Sequence, residues 1–426
     1  MKNVIELLKK AEGINGWRVT ESATKSYELF FVHEALETVR STDTVDTEVT
    51  VYVEHDGFLG DSGFNVYRSM TDEDIAKKIA TAAKRAGLVY NQPYVLPEKA
   101  EFKAELKSDM NDIGNFADYA QKIADAVFNA KAPAGGSINA LEVFVYKKTL
   151  HVINSNGLDK EQVGYSAFVE AIPTFTTEKL SVEIYESMRF TDLNAEKIAK
   201  EIAEKLADTK ARYEAKKPTT PMTVNVLLRP HEIGQLMSDI AYDLNYTSVY
   251  MRANLRKVGE DIQEGGNGDK IDLTMCAVVE GSDASRYFDA DGTKLTDTKL
   301  IEGGVVKANY GGHRFGQYLG VKEPSGNLPC KVLGKGTLTE KELEKEPYLE
   351  CVALSGLQVD LYNDYIGGEI RTAYYCDGKK KTPVTGVTMS AKLSDVLKTM
   401  RLYDDCDVNG SYKGPTRMLM KNVTVL

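Results

Sequence analysis

SMTDEDIAKKIA (69–80) and SMRFTDLNAEKIAKEIA (187–203) are the two stretches from which the fold can be read. Each opens on Ser-Met, which reads as the end of a strand, and runs into a capped helix with apolar residues four apart. In the first the apolar stripe is Ile75, Ile79 and Ala83; in the second it is Ile198, Ile202 and Leu206. IAKKIA and IAKEIA differ at one position of six. A segment that recurs in this way points to a duplicated structural unit.

Working outward, a weaker likeness precedes each copy. YELFFVHEALETVRST (27–42) aligns with LEVFVYKKTLHVINSN (141–156), with Leu36 on Leu150, Val39 on Ile153 and Ser41 on Ser155. Each is read as a strand, a polar turn and a second strand. HDGF (55–58) supplies a glycine turn between EVTVYV (48–53) and FNVY (64–67). The repeated unit is therefore several antiparallel strands followed by an amphipathic helix. An opening helix carries Val4, Ile5, Leu8 and Ala11 on one face. Another helix, from about Asp112 to Ala130, has Phe116, Ala120, Ile123 and Val127 on one face, and KAPAGGS (131–137) reads as a loop.

YEAKKPTTPMT (213–223) breaks the pattern, because its two prolines remove backbone donors. Beyond it, TVNVLL (223–228) reads as a strand, and RPHEIGQLMSDIAYDLN as a helix starting at Pro230, a favoured first helical residue. After about residue 270 the chain is mostly strand-like, with short helical patterns in TEKELEKE (339–346) and LSDVLKTM (393–400). Strands and helices do not alternate regularly. The fold class is α+β, with an N-terminal domain of duplicated antiparallel-strand-plus-helix units (1–215) and a β-rich C-terminal domain (222–426).

Composition narrows the function. The chain has 426 residues, 42% hydrophobic and 27% charged, with a net charge of −10. Such an acidic surface argues against binding nucleic acid through phosphates. No apolar run reaches the roughly 18 residues of a membrane span. Glu6, Lys9, Lys10 and Glu12 interrupt any signal-peptide core, so a cytoplasmic location is expected. The five cysteines, Cys276, Cys330, Cys351, Cys376 and Cys406, are widely spaced, which argues against a disulfide framework or a zinc ribbon.

The five histidines define where metal chemistry could sit. His33-Glu34 falls at a hairpin turn, where two side chains cannot share a helical metal-binding face. His231-Glu232 lies in the first turn of a helix, where an imidazole can bind zinc and a glutamate can activate its water. One turn on, however, stand Gln235 and Leu236, a poor ligand and a non-ligand. His55 reads as a turn residue, His151 as a strand residue and His313 as part of a solvated glycine-rich loop. Asp289 and Asp291 in FDADGTKL do not make a calcium loop, since its twelfth position is Leu300; a hairpin turn is expected. Tyr242, Tyr246 and Tyr250 read as a packing stripe, and the lysines at 379–381 as a turn. Acids flank Cys406 and should raise its thiol pKa.

The C-terminal half resembles a known family. YFDADGTKLTDTKLIEGGVVKANYGGHRFGQYLG (287–320), PSGNLPCKV (324–332) and LQVDLYNDYIGGEIRTAYYCDGKKKTPVTGVTMS (357–390) follow one another as in the TldD/PmbA family. The PmbA branch, also called TldE, carries the name modulator of DNA gyrase. The resemblance implies a metallopeptidase-type protein in which a TldD–TldE pair cleaves extended or unfolded peptides. In the TldD branch, zinc is held by HExxxH and a cysteine near the C-terminus. His231 and Glu232 match the first ligand and the general base, and Leu236 stands where the second histidine belongs. NGSYKGPTRMLMKNV (409–423) lacks the cysteine-glycine motif.

The degenerate region 230–245 therefore implies the non-catalytic TldE-like partner, with no cofactor, in a homodimer or heterodimer. The competing reading is a zinc peptidase in its own right, with His231 as ligand, Glu232 as base and Cys406 or His313 in place of the missing ligands. A third possibility is a structural protein that keeps only the fold.

Overall fold

The computed structural model describes residues 2–111, 114–378 and 380–426. The first part of the chain builds one eight-stranded sheet. Its strands are β1 (Gly16–Val32), β2 (Ala35–His55), β3 (Phe58–Val66), β4 (Ala100–Glu105), β5 (Gly136–Asn154), β6 (Leu158–Thr176), β7 (Ser181–Glu183) and β8 (Glu186–Phe190). The order is β3-β2-β1-β5-β6-β4, with β7 and β8 also paired to β6. All pairings are antiparallel except β4 with β6.

Four helices cover one face of this sheet in two groups. Helix α1 (Lys2–Lys10) and α2 (Asp72–Ala86) bury Val4, Leu8, Ile75 and Ile79 against Val19, Val49 and Val51. Helix α3 (Phe116–Phe128) and α4 (Ala195–Glu214) bury Ile123, Val127, Ile198, Ile202 and Leu206 against Leu141, Val143 and Val169. The apolar stripes at helical spacing thus become two separate cores, one under each repeated helix. The expected start of the third helix, at Asp112, lies outside the described residues; among those described it begins at Phe116, where the Asn115 side chain accepts from Ala117 N–H.

The repeat differs from expectation in two places. Lys147-Lys148-Thr149 is no turn: β5 runs unbroken from Gly136 to Asn154, paired with β1 on one side and β6 on the other. The lysines are tolerated because their chains lie over aromatic rings, Lys147 over Tyr165 and Lys148 over Tyr146. The turn that matches His33-Glu34 comes later, between Asn154 and Leu158. Ser69-Met70 does not end a strand either. It follows β3 in a turn, whereas Ser187-Met188 lies inside β8. HDGF is a two-residue hairpin turn, with Asp56 and Gly57 both at positive φ.

From Met222 onward two further sheets share one large core. The seven-stranded sheet has the order β14 (Tyr348–Asp360), β9 (Met222–Leu228), β21 (Met418–Val425), β17 (Val387–Lys392), β15 (Tyr365–Cys376), β16 (Lys381–Val384), with β18 (Arg401–Leu402) on β21. The six-stranded sheet runs β12 (Val305–Val306), β11 (Thr298–Glu302), β10 (Leu273–Cys276), β13 (Cys330–Leu333), β20 (Tyr412–Pro415), β19 (Cys406–Asn409). Helix α5 (Pro230–Asp243) contributes Ile233, Leu236, Met237 and Ile240 to the shared core. Shorter helices are α6 (Tyr246–Tyr250), α7 (His313–Tyr318), α8 (Glu340–Leu343) and α9 (Leu393–Thr399).

The Asp289 turn joins the early sheet to the later ones. Phe288 is buried against Val152 and Leu158, Lys160 Nζ donates to the Gly292 carbonyl at 2.8 Å, and Arg18 pairs with Asp291. Gln162 donates to the Phe288 carbonyl and accepts from Tyr287 N–H. It is a turn, as expected, with Phe288 bridging Lys294. The Asp289 carboxylate accepts backbone N–H groups from Asp291, Thr293 and Asn327, an internal use for its oxygens.

Candidate functional site

The site is built where α4 meets the start of α5 and the last strands. Leu228 ends β9, and Pro230 opens α5 with its ring at the first helical position, so Arg229, His231 and Glu232 cluster at the junction. Arg229 reaches back to Asp208 on α4 at 3.3 Å and across to Glu350 on β14 at 3.1 Å. Lys381 and Arg417 also approach Glu350, at 3.2 and 3.7 Å, and Tyr374 donates to Asp208 at 2.9 Å. Asp208 and Glu350 are both buried. Burial alone would raise the Glu350 carboxyl, but Arg229, Lys381 and Arg417 hold it below its ordinary value.

His231 is exposed and Glu232 is half-buried. Burial pushes the Glu232 carboxyl up, against the opposing pull of His231, Lys205 and Arg229. Leu236 is fully buried, packed in the core between the two later sheets. Gln235 points elsewhere, donating to the Leu357 carbonyl at 2.6 Å. The helix therefore turns the position of a second ligand into the apolar core rather than toward His231.

The stand-in ligands do not repair the site. His313 is not in a solvated loop. It opens α7, and its Nε2 lies 2.8 Å from the Val95 carbonyl and 2.6 Å from Gln317. Cys406 is exposed on β19, its thiol raised by burial and by Asp405. Among the described residues, no three His, Cys, Asp or Glu side chains converge to hold a metal ion. These residues do not fit a zinc centre.

A cleft opens beside this junction, between α4 and the segment from Tyr403 to Arg417. Its volume is about 640 Å³, and its lining includes Glu201, Glu204, Asp405, Cys406, Asp407 and Arg417. Lys197 spans it to Asp407 at 2.7 Å. Burial, with Asp407, Glu186 and Glu204 nearby, pushes the Glu201 carboxyl up to about 7, against the pull of Lys197. Arg417 ties the cleft to the junction, since it also approaches Glu350. Sequence reasoning missed Glu201 because its position on α4 looks like ordinary solvated helix surface; only the long-range packing of β19 gives it a wall.

The remaining singled-out residues are structural. His33 and Glu34 form a turn with positive φ. His55 ends β2 and packs edge-on against Tyr90. His151 pairs with Asp159 at 2.7 Å across the β5–β6 hairpin. The tyrosine stripe is broken, because α5 ends at Asp243: Tyr246 is buried on α6, while Tyr242 is 65% exposed. Lys379 lies outside the described residues, and Lys381 belongs to β16 rather than a turn. No helix among the described residues is long and apolar enough to cross a membrane.

Comparison with known proteins agrees with this architecture. Residues 221–426 match the family model for the PmbA/TldA metallopeptidase C-terminal domain. No curated protein sequence matches the chain at a significant level. TldE from Thermococcus kodakarensis shares the fold with a TM-score of 0.81 at 17% identity, over 100% of this chain and 99% of that one. A proposed DNA gyrase modulator from Bacteroides thetaiotaomicron has a TM-score of 0.78 at 17% identity, over 100% and 97%. Another from Thermotoga maritima has 0.75 at 16% identity, over 100% and 99%. Residues 221–426 therefore match the PmbA/TldA metallopeptidase C-terminal domain, and the chain from end to end has the fold of these TldE and gyrase-modulator structures.

Proposed function

We propose that the chain is a TldE-type, non-catalytic subunit that handles extended or unfolded peptides beside a TldD-like metallopeptidase. The observation that carries this reading is Leu236: a fully buried leucine stands where a zinc ligand would be needed. Restoring a histidine there would place an imidazole in the apolar core, at a cost of several kcal/mol on the scale of burying an unpaired polar group. The position has thus become structural. A peptide partner suits the cleft between α4 and β19, which is open and lined mainly by polar side chains. We place the protein in the cytoplasm, as one half of a heterodimer or as a homodimer, with no cofactor of its own.

The test is hydrolysis of an unfolded peptide by the purified chain, by a TldD-like metallopeptidase and by the two together. Cleavage by the mixture well above that of the metallopeptidase alone, with none by the chain alone, supports the subunit reading. Chelator-sensitive cleavage by the chain alone, lost in Glu232→Gln, would instead establish a zinc peptidase in its own right.

A further inference from the structure

We propose that Cys276 and Cys330 are the two halves of an oxidation-sensitive cross-link that staples the segment between them into the six-stranded sheet. The two residues are 54 positions apart, and nothing local to either pairs them. The fold does. Strand β10 ends at Cys276, β13 begins at Cys330, and their antiparallel register sets the two directly opposite each other. Residues opposed in this way have Cα atoms about 4.5–5.5 Å apart, inside the span of roughly 4.4–6.8 Å that a disulfide bridges. Opposed side chains also leave a sheet on the same face. Here they meet Val279 in a small apolar cluster, whereas Leu273, Met275 and Leu333 belong to the large core. Both cysteines are free thiols.

The oxidant is hydrogen peroxide. Cys276 is 9% exposed and Cys330 fully buried, so a small oxidant meets Cys276 first. The Cys276 sulfur attacks one peroxide oxygen, the O–O bond breaks, and the displaced hydroxide leaves as water with the thiol proton. The Cys330 sulfur then attacks the resulting sulfenic sulfur. The S–S bond forms, the S–O bond breaks, and hydroxide leaves as a second water with the Cys330 proton. Two thiols give up two electrons and two protons, and one peroxide becomes two waters. Burial, then Asp297, pushes the Cys276 thiol up to about 12, so thiolate is scarce at neutral pH and the reaction is slow. A reducing compartment keeps the pair open. The segment that the bond closes, residues 277–329, carries the Asp289 turn docked on the early sheet and α7 with its contact to Val95. Closing it restricts the unfolded chain, while the two strands are already paired in the folded one. Oxidation therefore stabilises the fold.

The test incubates the reduced full-length chain overnight with hydrogen peroxide at mildly alkaline pH. The chain is then unfolded, its remaining thiols are blocked with N-ethylmaleimide, and its linkages are mapped by peptide mass spectrometry with and without dithiothreitol. A peptide pair joining Cys276 to Cys330 should appear and should part on reduction. Cys406→Ser, which removes the one exposed cysteine, should form the same link and lose two hydrogens from its intact mass. The melting temperature of the oxidised chain should rise by about 5 °C or more and fall back on reduction. Cys330→Ser should abolish both the link and the rise, and Cys330→Ala should do the same if the buried hydroxyl prevents folding. The map of the unsubstituted chain decides the matter without any variant. Absence of the link, or links made only by Cys406, would overturn the proposal. So would a Cys276–Cys330 link that forms only in urea, because the fold would then be holding the thiols apart. A link formed in the folded chain with no rise in melting temperature would overturn the staple.

Discussion

Burial against its carboxylate neighbours raises the Glu201 carboxyl to about 7 in the folded chain, whereas an unfolded glutamate titrates near 4.3, roughly. The folded state then binds the proton more tightly than the unfolded state does between those values. Stability linked to this group is full below about 4 and is lost as pH rises through 7. Replacing the carboxylate with a neutral isostere removes the loss. Glu201→Gln should therefore raise the unfolding midpoint at pH 8 and leave it unchanged at pH 4. The side chain is 38% exposed, so solvent screening limits the gain to about 1 kcal/mol or less. A midpoint measured in urea at both pH values checks this; a larger effect at pH 4 would reverse the sign of the argument. At this scale, sequence alone reached only part of the site. His231, Glu232 and Leu236 were visible as a broken motif, since three side chains one turn apart belong to one helix. Glu201 and Asp407 are 206 positions apart, and nothing local to either marks their approach.

At the scale of elements, local chemistry was most legible where it is local in fact. Thr71 and Asp74 form a capping box on α2: Thr71 Oγ1 accepts from Asp74 N–H at 3.2 Å, and the Asp74 carboxylate accepts from Thr71 N–H at 3.1 Å. The second copy of the helix is capped by Asn194 alone, through Lys197 N–H at 2.9 Å. Removing the box leaves first-turn donors without a protein partner, so Thr71→Ala should cost about 1 kcal/mol, and Thr71→Asn much less. The drop in urea midpoint for the two variants checks this. Equal losses would mean that the threonine acts through packing rather than as a cap. The Lys147-Lys148 strand shows the opposite case. Two adjacent lysines read as a turn by composition, but β5 sits between two long strands whose pairing satisfies its backbone on both sides. The aromatic rings that support the lysine chains lie on the same strand and on β6. Non-local pairing overrode the local signal there.

At the scale of the molecule, the question is whether the parts before and after the proline-containing linker unfold together. Each has its own apolar core: two clusters lie under the helices of the eight-stranded sheet, and one large cluster lies between the two later sheets. Such cores can unfold separately unless the interface between them contributes more than the difference in their stabilities. That interface includes the Asp289 turn, both halves of α4 and the contacts of α7 with Gln92 and Val95. Phe288, 1% exposed, fills the space against Val152 and Leu158, and Lys160 and Gln162 bond the backbone on either side of it. The Lys197–Asp407 pair holds the first turn of α4, and the Asp208–Arg229–Glu350 bridge holds its second half. Truncating a buried phenylalanine removes about 3–5 kcal/mol, and here that loss falls on the junction rather than inside either core. The intact chain should therefore melt in one calorimetric transition, and Phe288→Ala should split it into two. The division proposed between residues 215 and 222 would then be a boundary between cooperative units. A single transition shifted to lower temperature would mean that α4 and its ionic contacts couple the two parts strongly enough to survive loss of the turn, and that the chain folds as one unit despite its separate cores.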